Sequence, residues 1–419
     1  MRSLILFLLA LTLALLAAAP LMLSASLLNA AIQMLIAALF ASAFALLCGQ
    51  AGMLSFGHSA YFGLGAFATI HAMNAFNGAG LMPTPLLPLA GGFIGLVNGI
   101  AAGWFATKRT GVYFSMITLA LAELLHALAP HLKGIFGGEA GISAMRMPAW
   151  GISFGSNIDV YYLTLAWVLV SLGLLYLYTL TPVGRLTLGL RENAHRLRFL
   201  GYDIHKLSVL VFAVSAMFSG IAGGLQALNI EAANYVVLDM NLSASVVLNS
   251  YIGGVKVFLG PAIGAALMTF FGYAISDLTR SWLLYQGVLF VLVMMFLPEG
   301  LVGEAARRLR QGRLHFDGGR LMVGALFVVA VLVATAGFVC AVELAQRFFS
   351  ADYRAMAGGG TWPPVALFGH QWMPFSVQTF GVPLGLMGVG LALLACAARR
   401  LDPDRAAPDR AAPDHAGAA

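Results

Sequence analysis

Runs of about 20 apolar residues recur along this chain, each long enough to cross a hydrocarbon core, and the segments between them hold most of its charge. A backbone in lipid must satisfy its own hydrogen bonds, which leaves such runs one regular form, the α-helix. The chain is therefore read as an all-α, polytopic membrane protein. Composition agrees: 60% of its 419 residues are hydrophobic and 10% charged, against roughly a quarter charged in soluble domains. No large soluble domain fits between the runs.

Spans are expected near 4–23, 27–48, 56–76, 86–106, 111–130, 159–180 and 208–229. The first is longer than a signal-peptide core and is read as a retained helix. Residues 241–298 hold two spans or three, because Gly253-Gly254, Lys256 and Gly260-Pro261 interrupt them. Lysine and arginine gather in cytoplasmic loops. Here they gather at Lys108 and Arg109, at Arg185, Arg191, Arg196, Arg198 and Lys206, and at Arg307, Arg308, Arg310, Arg313 and Arg320. With Arg2 inside, only three spans, near 241–255, 258–276 and 282–298, return the last cluster to the cytoplasm. This predicts a ten-helix core whose short eighth span is broken or re-entrant. Two further apolar runs, 321–342 and 380–398, flank an external loop at 343–379, and 401–419 repeats Ala-Ala-Pro-Asp and should be disordered. The expected divisions are a core at 1–320, a two-helix extension at 321–400 and a tail at 401–419.

Polar residues inside the apolar runs are the candidates for function. Residues 49–65 combine glycines with Gln50, Ser55, His58 and Ser59, which suggests a helix broken at membrane depth beside a watery path. A second interrupted stretch, 249–265, carries Gly253, Gly254, Gly260 and Gly264. In the fifth run Ser115, Thr118, Ala122 and His126 share one stripe, with Glu123 a quarter turn away. A carboxylate there should face protein or water. Ser55, His58, Ser59 and Glu123 are therefore the candidate translocation path. Outside, Phe136-Gly137-Gly138 reads as a tight turn.

No phosphate loop, His-Glu-x-x-His or Gly-x-Ser-x-Gly motif occurs, so no catalytic residue, cofactor or metal is expected. Glu123, His126 and His131 are the one weak grouping a metal could use. Cys48, Cys340 and Cys396 are scattered and have no disulfide or metal spacing. The net charge of +6 lies in inter-span loops and does not imply nucleic acid.

The main polar island of the central chain is 181–207. Thr181-Pro182 opens a helix and Gly201 can close it. Leu186, Leu190, Leu197 and Leu200 recur near helical spacing between arginines, a pattern that also suits anionic membrane lipid. Gly184 and Gly189 permit close approach of another surface, while Glu192, Asn193 and Asp203 dilute the basic face. These features favour a protein partner.

Gly184-Arg-Leu-Thr-Leu-Gly-Leu-Arg-Glu-Asn, then Phe199-Leu-Gly-Tyr-Asp, resembles the cytoplasmic loop of LivM-type permeases of branched-chain amino acid ABC importers. Leu54-Ser-Phe-Gly-His-Ser-Ala-Tyr-Phe-Gly-Leu-Gly-Ala, Thr118-Leu-Ala-Leu-Ala-Glu and Ser219-Gly-Ile-Ala-Gly-Gly agree in order and spacing, so the resemblance covers 27–305. It implies a type II importer-like core in the bacterial inner membrane, with the N-terminus cytoplasmic. It also implies a second, LivH-like permease, two cytoplasmic ATPase subunits that hydrolyse the ATP, and a periplasmic solute-binding protein. Gly184, Arg191, Glu192, Asn193 and Gly201 would then form the ATPase-coupling loop. Departures are Phe136 where the family often has threonine, and residues 321–419, which have no counterpart. Urea or short amides are alternative solutes. An ATP-independent secondary transporter or channel using Glu123, or a membrane enzyme using Glu123, His126 and His131, is the alternative class.

Overall fold

A computed structural model describes residues 2–77, 82–276, 279, 281–310, 318–356, 362–367, 370–374 and 376–401. The tail expected to be disordered falls, from residue 402 on, outside the described residues. Most described elements are α-helices, and seven helices are long and apolar enough to cross a membrane. The chain divides into two units, one of Met1–Leu278 with Trp282–Arg307, the other of Thr279–Ser281 with Arg308–Ala419.

In the first unit a helix stands at each expected run. These are α1 (Arg2–Met22), α2 (Ala25–Ala45), α3 (His58–Ala72), α4 (Pro88–Ala106), α5 (Val112–Leu128) and the short α6 (Lys133–Phe136). There follow α7 (Asn157–Leu180), α8 (Pro182–Phe199), α9 (Ile204–Ile230), α10 (Met240–Gly253), α11 (Gly260–Ser276), α12 (Trp282–Phe296) and the start of α13 (Gly300–Arg310). Starts are set by caps: Ser156 accepts from the Asp159 amide, Asp203 from Lys206 and Asp239 from Asn241. Pro88 opens α4, where its missing N–H costs no helical bond.

Three helices, not two, separate residue 239 from residue 299. The first of them, α10, has 14 residues. At 1.5 Å per residue it reaches about 21 Å, short of a hydrocarbon core of about 30 Å. It ends at Gly254, whose φ of +105° suits glycine, and 254–259 is irregular before α11.

Close packing centres on α9. Gly91, Gly95, Gly99 and Gly103 recur every fourth residue of α4 and face Gly220, Ala216, Ala213 and Phe212 of α9. A methyl group on Gly95 would collide with the Ala216 carbonyl oxygen, and one on Gly99 would lie 2.6 Å from Ala216 Cβ. On another side Gly65 meets Gly220, and Gly223 meets the Phe62 carbonyl of α3. Association in lipid gains little from the hydrophobic effect, so this close approach and its dispersion contacts do the holding. Leu39, Phe44, Leu47, Tyr161, Phe212 and Leu225 fill the core between α2, α7 and α9.

Contacts sort the loops into two ends. At one, β1 (Ile142–Ser143) pairs antiparallel with β2 (Ala232–Ala233), and Arg146 bonds Glu231 at 3.1 Å. There Gly137 and Gly138, at φ +72° and +71°, make the turn expected after Phe136. At the other end Thr107 Oγ1 lies 3.0 Å from His205 Nδ1, Gly49 packs on Val255, and Gly254 packs on Glu299. The loops bearing Lys108, Arg109, Arg185, Arg191 and Arg198 thus share an end with Glu299.

In the second unit α14 (Gly318–Phe348) packs on α16 (Val377–Leu401), with Gly337 against Pro383 and Gly390 against Ala334. Between them lie α15 (Ala351–Met356) and a hairpin of β3 (Val365–Leu367) and β4 (His370–Trp372). Trp372, Leu367, Cys340 and Leu344 form its small core. Glu343 accepts from Thr279, and Gln346 accepts from Ser281 at 2.7 Å.

Candidate functional site

The polar island folds as α8 and its two junctions. Thr181 caps the helix, its hydroxyl accepting from the Gly184 amide at 3.0 Å, with Pro182 at the first turn. A side chain at Gly184 would strike the Tyr178 carbonyl, so only glycine lets α8 turn this tightly off α7. Thr187, fully buried, donates back to the Gly184 carbonyl at 2.7 Å.

The helix is not continuous. At Asn193, φ −160° and ψ +90° interrupt it, and the Asn193 side chain accepts from the Arg196 amide at 2.9 Å, capping a second short helix. That piece folds back so that Leu197 covers Gly189. It ends with the Tyr202 amide on the Leu197 carbonyl and the Gly201 amide on the Arg198 carbonyl. This is the paired closure of a Schellman motif, with Gly201 at φ +87° supplying the left-handed residue. Asp203 then caps α9, and the hydrogen bond from the Lys206 amide holds its carboxyl below the usual carboxylate range.

One side chain of the island reaches into the bundle. Arg191 Nη1 donates to the carbonyl of Gly49, in the π-helical last turn of α2 (Leu46–Gln50). Gly52, at φ +70°, leaves room for the arginine, since a Cβ there would lie 2.9 Å from Arg191 Cγ. Glu192 is exposed and makes no hydrogen bond among the described residues. Phe199 and Leu200, 90% and 65% exposed, stand beside the exposed Arg196 and Arg198. The tip is thus apolar, with two exposed arginines next to it in the chain.

Of the candidate path residues, three lie at the head of α3. Residues 52–57 are irregular as expected, and α5 satisfies their backbone: Ser115 Oγ donates to the Leu54 carbonyl at 2.6 Å, and Thr118 Oγ1 accepts from the Phe56 amide at 3.2 Å. This accounts for Ser115 and Thr118 of the polar stripe on α5. Ser55 accepts from the Gly57 amide. His58 Nε2 lies 2.8 Å from Ser215 Oγ, whose own proton goes to the Ala43 carbonyl, so Nε2 is the donor. Its ring sits among Phe44, Tyr61 and Phe212. Ser59 and Ser243 bond each other at 2.8 Å, and Ser59 donates on to the Leu238 carbonyl. His58 and Ser59 thus join α3 to α9 and α10, while Ser55 holds the turn just before α3.

Glu123 is half-buried on α5, and the His126 ring lies 5.7 Å from that of Tyr235. Among the described residues no three His, Cys, Asp or Glu side chains form a group that could hold a metal, so Glu123, His126 and His131 are no such set. The residues that the sequence reading does not single out are Gly49, Gly52 and Thr187. Their signal is glycine and a small hydroxyl residue on either side of Arg191, which becomes legible only when the chain folds.

The chain matches the family described as "Branched-chain amino acid transport system / permease component" over residues 26–298. It is 26% identical over 281 residues to the "High-affinity branched-chain amino acid transport system permease protein LivM" of Salmonella typhimurium, an alignment covering 61% of this chain and 65% of that protein. The protein of the same description from Escherichia coli strain K12 is 27% identical over 281 residues, with the same 61% and 65% coverage. A "Probable branched-chain amino acid transport permease protein LivM" of Methanocaldococcus jannaschii is 26% identical over 276 residues, 58% of this chain and 78% of that one. This chain therefore spans 65% of the length of the two bacterial relatives. No solved structure matches it. With the matched stretch running from α2 to the end of α12, and so including α8 with its Arg191 latch, the chain belongs to the branched-chain amino acid transport permease family.

Proposed function

We propose that this chain is one of two permeases in an ATP-driven importer of branched-chain amino acids. A LivH-like permease would be its companion, two cytoplasmic ATPases would supply the energy, and a periplasmic binding protein would deliver the solute. The chain itself performs no hydrolysis. In this reading residues 1–320 form a ten-span core in the bacterial inner membrane, with the N-terminus and α8 in the cytoplasm. Residues 321–400 add two spans, and 401–419 form the tail.

The observation that carries the reading is the build of α8. It is capped at both ends, broken at Asn193, tipped with exposed Phe199 and Leu200 among arginines, and tied to the bundle through Arg191. A basic, apolar-tipped helix suits a groove on a cytoplasmic partner, and the Arg191 bond would carry the partner's movement to α2. Gly184 and Gly201 hold the two junctions, Asn193 the break, and Glu192 is free for the partner. His58 and Ser59 fix the head of α3 against α9 and α10, and Ser55 holds the turn before it, so that helices beside the path move together.

The test is leucine uptake by proteoliposomes holding the whole assembly, with ATP inside and binding protein outside. Arg191→Ala with Glu192→Ala is expected to lower uptake about a hundredfold, since a charged, part-buried hydrogen bond and a docking contact together contribute about 3 kcal/mol. Glu123→Gln should leave uptake within about twofold. An ATP-independent transporter would give the reverse: uptake surviving the first variant, lost in the second, and present without ATPases.

A further inference from the structure

A largely apolar cleft of about 790 Å³, studded with polar side chains, opens between α2, α9, α10 and α12. Its size is that of a small-molecule site. Asp239 and Asn241 stand at its mouth, at the end of the molecule where β1 pairs with β2. Farther in it is lined by Gln33, Gln226, Asn249 and Gln286. Asn249 lies nine residues along α10 from Met240, about 13 Å down the helix.

The polar part of this lining is mainly carboxamide, with one carboxylate, Asp239. Asp239 accepts from Asn241 through both carboxylate oxygens, one from its backbone amide at 2.8 Å and one from its side chain at 3.2 Å. Among the described residues no lysine or arginine lines the cleft. Gln286 Nε2 donates to Asn249 Oδ1 at 3.1 Å, which leaves the Asn249 nitrogen as a donor and the Gln286 oxygen as an acceptor. Gln226 Oε1 is buried and has no partner among the described residues. Carboxamides offer donors and acceptors without charge. Beside them, on α2, α3 and α10, stand Phe40, Phe62, Leu242 and Val246. Polar groups at membrane depth face protein or a watery cavity rather than lipid.

We propose that this cleft is the wall that the chain contributes to the solute path, and that it passes a zwitterionic amino acid with an aliphatic side chain. Acceptors would meet the ammonium, donors the carboxylate, and the apolar wall the side chain. With no fixed cation to trap the carboxylate, the solute is handed along rather than held. The wall is also linked to the coupling helix: α2 carries Gln33 and Phe40 at the cleft, and its last turn carries Gly49, the acceptor of the Arg191 bond. This inference rests on the permease reading above and adds where the solute runs and what recognises it.

Carboxamides also join helices in lipid, so the experiment separates a path from a sealed contact between permeases. The full assembly is reconstituted in proteoliposomes with ATP inside, and leucine is the probe. Asn249→Leu and Gln286→Leu are each expected to lower leucine uptake about tenfold, the loss of one hydrogen bond. ATP hydrolysis stimulated by the binding protein should stay within about twofold of the unaltered assembly. In parallel, Ser245→Cys, which lines the cleft, is placed in a background with Cys48, Cys340 and Cys396 replaced by serine. A charged methanethiosulfonate reagent should modify it, at a rate changed by ATP together with leucine-loaded binding protein. Full leucine uptake by both leucine variants overturns the inference, and so does a Ser245→Cys thiol that resists the reagent in every nucleotide state. Failure of the parent reading has a different signature, an unaltered assembly that takes up no leucine while the thiol is still labelled.

Discussion

Glycine sets the distance between α4 and α9. At Gly95 the neighbouring helix presents a backbone carbonyl where a Cβ would stand, and Gly220 across the interface meets the carbonyl of Gly91 in the same way. Adding a side chain there cannot be absorbed by a rotamer change, because the obstacle is main chain. Gly95→Val is therefore expected to cost about 1–3 kcal/mol by forcing the helices apart, seen as a lower melting temperature of the purified chain in detergent. Gly173 is the control. It lies inside α7, and no described neighbour comes within 4 Å of the point a Cβ would occupy. Gly173→Ala should raise stability by about 0.5–1 kcal/mol through helix propensity alone. If Gly95→Val melts with the unaltered chain, close packing does not hold this pair. The spacing that makes this ladder, a glycine every fourth residue from Gly91 to Gly103, stands in the sequence. Its partner does not, because which helix faces the stripe depends on the bundle. Gly63 and Gly65 of α3 also pack closely, against Leu238 and Gly220.

At the scale of the element, α8 shows how a short segment keeps its shape with little tertiary support. Its leucines and arginines make it legible as an amphipathic helix, and Thr181-Pro182 and Gly201 mark its ends. The break at Asn193 is not legible, since Glu192 and Ala194 on either side are ordinary helix residues. It is the fold-back of Leu197 onto Gly189 that makes Asn193 a cap rather than a mid-helix residue. Loss of an N-cap costs about 0.5–2 kcal/mol. Asn193→Ala should therefore loosen the tip and lower the ATP hydrolysis that the binding protein stimulates by about threefold to tenfold. Asn193→Asp, which keeps the accepting oxygen, should retain it. Equal loss in both variants would mean that the amide contacts the ATPase directly and that capping is incidental.

At the scale of the molecule, the bilayer makes much of the architecture readable. A span must be long, apolar and helical, so helices stand where the runs are, and the basic loops come to one end because α8, Thr107 and Gly49 meet neighbours there. The cleft is not readable in this way. Gln33, Gln226, Asn249 and Gln286 lie on four helices spread over more than half the chain, and each alone looks like an ordinary interhelical amide. The break before α3 is readable, but the use of its polar residues is not, because His58 and Ser59 find partners on distant helices. The second unit bears on assembly. The family match ends at residue 298, whereas this unit begins at Arg308 apart from Thr279–Ser281. It has its own core around Trp372 and its own helix pair joined at Gly337 and Gly390. Neither α8 nor any residue lining the cleft belongs to it. A chain ending at Arg307 should therefore still enter the assembly and import leucine within about twofold of the full chain, a difference smaller than one hydrogen bond. The measurement is uptake normalised to permease co-purified with the ATPases. Normal co-purification with uptake lowered more than about tenfold would give the second unit a part in transport itself, since the import machinery described above would then be intact and insufficient.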